Sequence, residues 1–164
     1  MLTIPDLLVP AEVAQLAALM DGAEYDDGRA TAHGLAAGVK QNRQVSRRWP
    51  AIASLDAILD TALRRSRVFR ECLSPSAHSQ PIYSRYGVGD GYGPHVDAVM
   101  NGMPPMRQDL SMTIFLSPHD AYAGGDLCLH HPLWGQQRIK LPAGGAFVYP
   151  TTVIHEVLPV ESGE

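Results

Sequence analysis

Long apolar runs are missing from this chain. No stretch approaches the roughly 18 residues needed to cross a bilayer as a helix. The first residues, Met1-Leu2-Thr3-Ile4-Pro5-Asp6, carry no basic segment ahead of apolar ones and do not read as a signal peptide. The expected location is the cytoplasm, with no membrane partner. Cysteine is scarce: Cys72 and Cys128 are too few for a disulfide framework and are expected as reduced, buried thiols. Charge is sparse at 18% of residues, and 13 Lys+Arg against 17 Asp+Glu leave a net charge of −4. Without a basic excess, nucleic acid is not an expected partner. At 164 residues the chain suits one domain rather than a large multi-domain enzyme.

What the chain has in quantity is punctuation, with 15 Gly and 13 Pro. Pro10 suits the first turn of a helix whose apolar positions are Val13, Leu16, Leu19 and Met20, with Gly22 as a stop. Residues 23–49 show no clean period and read as loop with one or two short strands. Pro50 opens a second helix, striped by Ile52, Leu55, Leu59 and Leu63 and reaching about Arg70. After Pro75 the texture changes. Strand candidates cover 81–86, 110–116, 126–130, 136–141, 146–149 and 152–158, parted by Gly and Pro. Such spacing signals a sandwich, jelly roll or barrel. The expected class is α+β, with residues 1–74 as a helical support region and 75–164 as the β core.

Seven histidines (His33, His78, His95, His119, His130, His131 and His155) invite a search for metal ligands. His95-Val96-Asp97 places two ligand types at i and i+2, on one side of a strand or its extension. His155, in the last strand candidate, can close the set if the sheet curls back. Two imidazoles and one carboxylate on one face leave three positions open, the usual ligand set of non-haem Fe(II) oxygenases. His130 and His131 are neighbours on a strand candidate, point to opposite faces, and do not read as a shared site. Gly87 to Gly93 lacks the Lys-Ser/Thr ending of a phosphate loop and reads as a turn. Ser84 and Ser111 have no visible base, and Arg64, Arg65 and Arg67 suit a helix C-terminus.

Several segments resemble one family. Asn42-Arg43-Gln44-Val45, Ser84-Arg85-Tyr86 and Tyr92-Gly93-Pro94-His95-Val96-Asp97 look like the PKHD-type hydroxylases, which are Fe(II)/2-oxoglutarate-dependent dioxygenases related to prolyl 4-hydroxylases. The likeness continues through Arg107-Gln108-Asp109-Leu110-Ser111, Phe115-Leu116-Ser117, Tyr122-Ala123-Gly124-Gly125-Asp126-Leu127, Lys140-Leu141-Pro142-Ala143-Gly144, Tyr149-Pro150 and Val157-Leu158-Pro159-Val160. The resemblance implies a double-stranded β-helix, or jelly roll, with N-terminal supporting helices. It implies His95, Asp97 and His155 as iron ligands, Tyr86 facing the cosubstrate, and Tyr92 beside the ligand loop. It further implies hydroxylation of an unknown substrate with release of succinate and CO2, and ascorbate as a reductant.

The family anchors 2-oxoglutarate with an arginine beyond the distal histidine, where this sequence ends at Glu164. The expectation is therefore a jelly roll truncated at its C-terminus, with Arg85, Arg107 or Lys140 as conceivable substitutes. Two alternatives stay open: an iron-binding jelly-roll module without turnover, and a cupin-like metalloenzyme. Met100, Met103 and Met106 mark a flexible apolar rim. The sequence does not specify the oligomeric state.

Overall fold

Pro10 begins the first helix because its missing N–H costs nothing in a first turn. The computed structural model describes residues 1–32, 34–133 and 135–164; His33 lies outside the described residues. A short strand β1 (Leu2–Ile4) precedes helix α1 (Pro10–Asp21). The Glu12 carboxylate accepts the Val9 N–H at 2.9 Å, satisfying a donor the helix leaves open. Between Gly22 and Pro50 the chain holds more structure than its lack of period foretold. It forms β2 (Tyr25–Asp27), a 3₁₀ turn (Gly28–Thr31), a short helix α2 (Leu35–Gly38), β3 (Lys40–Gln41) and β4 (Arg43–Val45). Helix α3 (Ile52–Arg65) buries Leu55, Leu59, Ala62 and Leu63, close to the expected stripe. It stops short of Arg70 because Ser66 turns extended, and a wider π turn follows at Val68–Leu73. The Ser66 hydroxyl accepts the Phe69 N–H at 3.2 Å, competing with helix continuation. Cys72, in that turn, is exposed rather than buried as expected; Cys128 is buried, and both are free.

The strand expected over 81–86 shrinks to β5 (Ser84–Arg85), since Pro81 has no N–H to give a ladder. Then come β6 (Gly91–His95), the hairpin β7 (Met100–Asn101) and β8 (Met106–Arg107), β9 (Leu110–Ile114), β10 (Ala123–Gly124), β11 (Leu127–His131), β12 (Gly135–Ile139), β13 (Ala146–Pro150), β14 (Ile154–Val157) and β15 (Val160–Ser162). One sheet has the order β12-β11-β14-β6-β3 and another β1-β13-β9, with antiparallel pairing throughout. Smaller sheets join β2-β4-β5, β10-β15 and β7-β8.

Strand β13 shows how the layers are made. Ala146 and Val148 pack with Leu16, Met20, Leu55, Leu59 and Leu63 of the helices. Phe147 and Tyr149, on the other face by alternation, pack with Phe115, Leu127 and Leu129 toward the larger sheet. The order is helices, small sheet, large sheet, with one apolar cluster on each side of β13. A fully buried leucine such as Leu16, Leu55 or Leu129 contributes about 1.5–3 kcal/mol relative to an exposed one. The α+β mixture holds, with strands dominant.

Candidate metal centre

His155 lies on β14 and His95 at the end of β6, directly opposite one another in the antiparallel register. Their ring centroids are 4.3 Å apart. Both side chains are 5% exposed, whereas Asp97, just past the end of β6, is 37% exposed and stands at the mouth. Asp97 Oδ1 is 3.7 Å from His95 Nε2, and Oδ2 is 3.6 Å from His155 Nε2. The three residues place one ligand atom each within 4.8 Å of the others. Each histidine turns its other nitrogen away: Nδ1 of His95 lies 2.8 Å from the Gly93 carbonyl, and Nδ1 of His155 lies 2.9 Å from that of Val153. A carbonyl accepts only, so Nδ1 carries the hydrogen and Nε2 points a lone pair at the centre. Burial pushes His95 below its ordinary pKa, with His155 and Lys40 reinforcing it against the Gly93 carbonyl and Asp97. That keeps the ring neutral, as a metal ligand must be. This donor set fits a divalent iron.

A β-bulge shapes the wall beside His95. Val157 pairs with Tyr92 while His155 pairs with His95, so β6 spends three steps where β14 spends two. The extra residue turns Tyr92 to the same side as His95. The two rings stack with centroids 3.5 Å apart. Gly93 sits in the bulge because a Cβ there would meet Cβ of Val39 at 2.9 Å. Tyr86, just past β5, has its phenol pushed up chiefly by burial, with Tyr92 among its charged-state neighbours.

The opposite wall comes from β9 and β13. Met112 and Ile114 pack toward the helices, leaving Ser111 and Thr113 on the interior face. Ser111 donates to Asp97 Oδ2, and Thr113 Oγ1 lies 3.4 Å from the Tyr149 hydroxyl. Tyr149 meets His155 edge-on at 4.9 Å. Polar residues alternating with apolar ones on β9 are the signal that marks this lining, and Ser111, read only as an unlikely nucleophile, was missed for want of it. Lys40 also lines this region. It is 7% exposed, donates to Thr31 Oγ1 at 2.9 Å, and places Nζ 4.8 Å from the Tyr92 ring centroid.

The three suggested anchors are occupied elsewhere. Arg85 pairs with Asp21 at 2.8 Å, Arg107 pairs with Asp109 at 2.9 Å, and Lys140 donates to the carbonyls of Tyr122 and Gly124. His130 does not share a site with His131 among the described residues but meets Cys128 and Glu156 on the outer face of the large sheet.

Residues 81–164 match the family model of the 2OG-Fe(II) oxygenase superfamily. The chain belongs to that superfamily. It is 41% identical over 167 residues to a PKHD-type hydroxylase of Paracoccus denitrificans (strain Pd 1222), covering 99% of this chain and 73% of that protein. The oxygenase fold is shared with a Pseudomonas putida prolyl-4-hydroxylase, at TM-score 0.68 and 19% identity, covering 99% of this chain and 86% of that one. A 2OG-Fe(II) oxygenase family oxidoreductase from Burkholderia pseudomallei gives TM-score 0.70 at 20% identity, covering 99% of this chain and 78% of the other. Membership makes this an oxygenase, with Fe(II) and 2-oxoglutarate as the family's metal and cosubstrate. No helix among the described residues is long and apolar enough to cross a membrane.

Proposed function

We propose that the oxygenase hydroxylates its substrate through Fe(II) held by His95, Asp97 and His155. The supporting observation is the inward convergence of two Nε2 atoms and one carboxylate, each oriented by a further hydrogen bond. When bound, iron with 2-oxoglutarate and dioxygen supplies the oxidising chemistry, and succinate and CO2 leave as coproducts. The chain's own residues set the geometry. His95 and His155 hold fixed tautomers, Ser111 orients Asp97, and Tyr92 backs His95. Tyr86, Tyr92 and Tyr149 supply largely apolar walls that limit water, and Tyr86 and Tyr92 face the cosubstrate in this reading.

The layout supports a jelly roll built mainly from residues 75–164, edged by β1 and β3 of the N-terminal part and carried on helices from 1–74 that pack against Ala146 and Val148. Val96, Val99, Met100 and Met103 are exposed around Asp97 and the β7–β8 hairpin, which suits an apolar rim for substrate. The family resemblance extends the reading to ascorbate as reductant. An iron-binding module without turnover is not favoured, since hydroxylases match along almost the whole chain.

The test is anaerobic loading with Fe(II) and 2-oxoglutarate, followed by succinate measurement in air. The visible charge-transfer band of the chelated cosubstrate and 2-oxoglutarate-dependent succinate are expected, and His95→Ala and Asp97→Ala should abolish both. A folded protein that binds iron at these residues and gives neither signal would overturn the proposal.

A further inference from the structure

On the outer face of the large sheet, behind His155, three more metal-binding side chains converge. Cys128 and His130 are two apart on β11 and share a face, while Leu127 and Leu129 between and beside them enter the apolar cluster. Glu156 is the registered partner of Cys128 across β14, and it faces outward because His155 next to it faces inward. A ring nitrogen of His130, the Cys128 Sγ and a Glu156 carboxylate oxygen all lie within 4.8 Å of one another. Nε2 of His130 is 2.7 Å from Oε1 of Glu156. Cys128 is fully buried; the His130 and Glu156 side chains are 27% and 15% exposed. A shallow pocket of about 290 Å³ lies against His130, bordered also by Pro132, Gly135, Gln136 and Ile154.

We propose that Cys128, His130 and Glu156 form a second metal site that takes a divalent cation of the zinc class. Thiolate, imidazole and carboxylate are the ligand types zinc accepts, and three protein ligands leave a fourth position for water or a small ligand. The thiolate gives the site a softer donor than anything at the His95–Asp97–His155 centre, so the two sites differ in preferred metal. One thiolate and one carboxylate neutralise a divalent cation, with a neutral imidazole completing the set. All three ligands stand on paired strands, which hold them more rigidly than loops would. The pocket beside His130 gives the fourth ligand room. Without a metal, the same residues amount to a histidine–glutamate hydrogen bond next to an inert thiol, and the two readings separate experimentally.

Co(II) is the probe, titrated into the full chain while near-ultraviolet thiolate-to-cobalt absorption is followed. The band is expected to appear, to bleach on adding Zn(II), and to vanish in Cys128→Ser. It should persist in Cys72→Ser and in the double variant His95→Ala/His155→Ala, because neither touches the thiolate ligand. His130→Gln and Glu156→Gln should each weaken Co(II) binding about tenfold or more, at least the loss seen for supporting residues around metal ligands. No thiolate band in the wild type overturns the proposal, as does a band lost with Cys72 rather than Cys128. If Cys128→Ser fails to fold, the near-isosteric Glu156→Gln decides: unchanged Co(II) affinity there also overturns it.

Discussion

Ser111 donates a hydrogen bond to Asp97 Oδ2 at 2.5 Å, the same oxygen that lies 3.6 Å from Nε2 of His155. The carboxylate is thereby held from the β9 side while its other oxygen faces His95. Removing that hold frees Asp97 to rotate toward solvent. Ser111→Ala should lower Mn(II) affinity by about 10–100-fold, the usual cost of losing a group that orients a ligand. Calorimetric titration measures it; unchanged affinity would show that Asp97 is positioned by its backbone alone.

Tyr92 backs His95 with a stacked ring, and the bulge in β6 puts it there. Tyr92→Leu removes the plate and should weaken Mn(II) binding about tenfold. Tyr92→Phe keeps the ring and should bind metal like the wild type. If both variants behave alike, stacking is not what fixes His95.

Gly93→Ala places a Cβ 2.9 Å from that of Val39. Overpacking of this kind costs about 1–3 kcal/mol. Urea denaturation should show a lower midpoint with an unchanged slope, since the unfolded chain is hardly altered.

Lys40 is a buried ammonium with a hydroxyl partner, Thr31, and no carboxylate ion pair among the described residues. Burial pushes its pKa down, while the Asp97 charge opposes that shift. A cation so placed suits an anionic cosubstrate. Lys40→Met should raise the KM for 2-oxoglutarate about tenfold, as expected for one charged hydrogen bond, with Mn(II) affinity little changed. An unaltered KM would assign Lys40 to the Thr31–Gln44 network instead.

Glu12 caps α1 and pairs with Arg65 of α3, which also donates to the Leu7 carbonyl at 3.0 Å. The Arg65 hydrogen bond holds the Glu12 carboxyl below its ordinary value of 4.5, against a smaller desolvation effect. A depressed folded pKa means stability that is full above the unfolded value and disappears as pH falls through the folded one. Arg65 is well exposed, so solvent screening limits the contribution to about 0.5–1 kcal/mol. Glu12→Gln should lower Tm by about 2 °C at neutral pH, and the gap should close in acid below the ordinary glutamate range. A gap that persists there would trace the loss to packing rather than charge.

The convergence of the candidate ligands was legible in the sequence because they combine distinctive chemistry with simple spacing. His95 and Asp97 lie two apart, and the distal His155 lies in a strand that the Gly-Pro punctuation delimits. The helix stripes were equally plain, since Leu55, Leu59 and Leu63 repeat on one face. The walls were legible only in part: the family resemblance marked Tyr86 and Tyr92, and no local residue pattern marked either. Tyr92 reaches the interior only through a bulge, a register change that no local residue pattern announces. Lys40 reaches the Tyr92 ring through the pairing of β3 with β6, across half a hundred intervening residues. The Cys128–His130–Glu156 group needs two strands brought into register, which adjacency arguments about His130 and His131 do not address.

Strand β14 carries His155 on one face and Glu156 on the other. Its register is therefore self-checking. A slip by one residue would send Glu156 into the apolar interior and eject the imidazole. An unpaired carboxylate there would have to take up a proton or force the strand back. The strand that carries His155 into the candidate centre thus penalises its own misalignment, and a misregistered chain should lose both stability and the His95–Asp97–His155 convergence in one step.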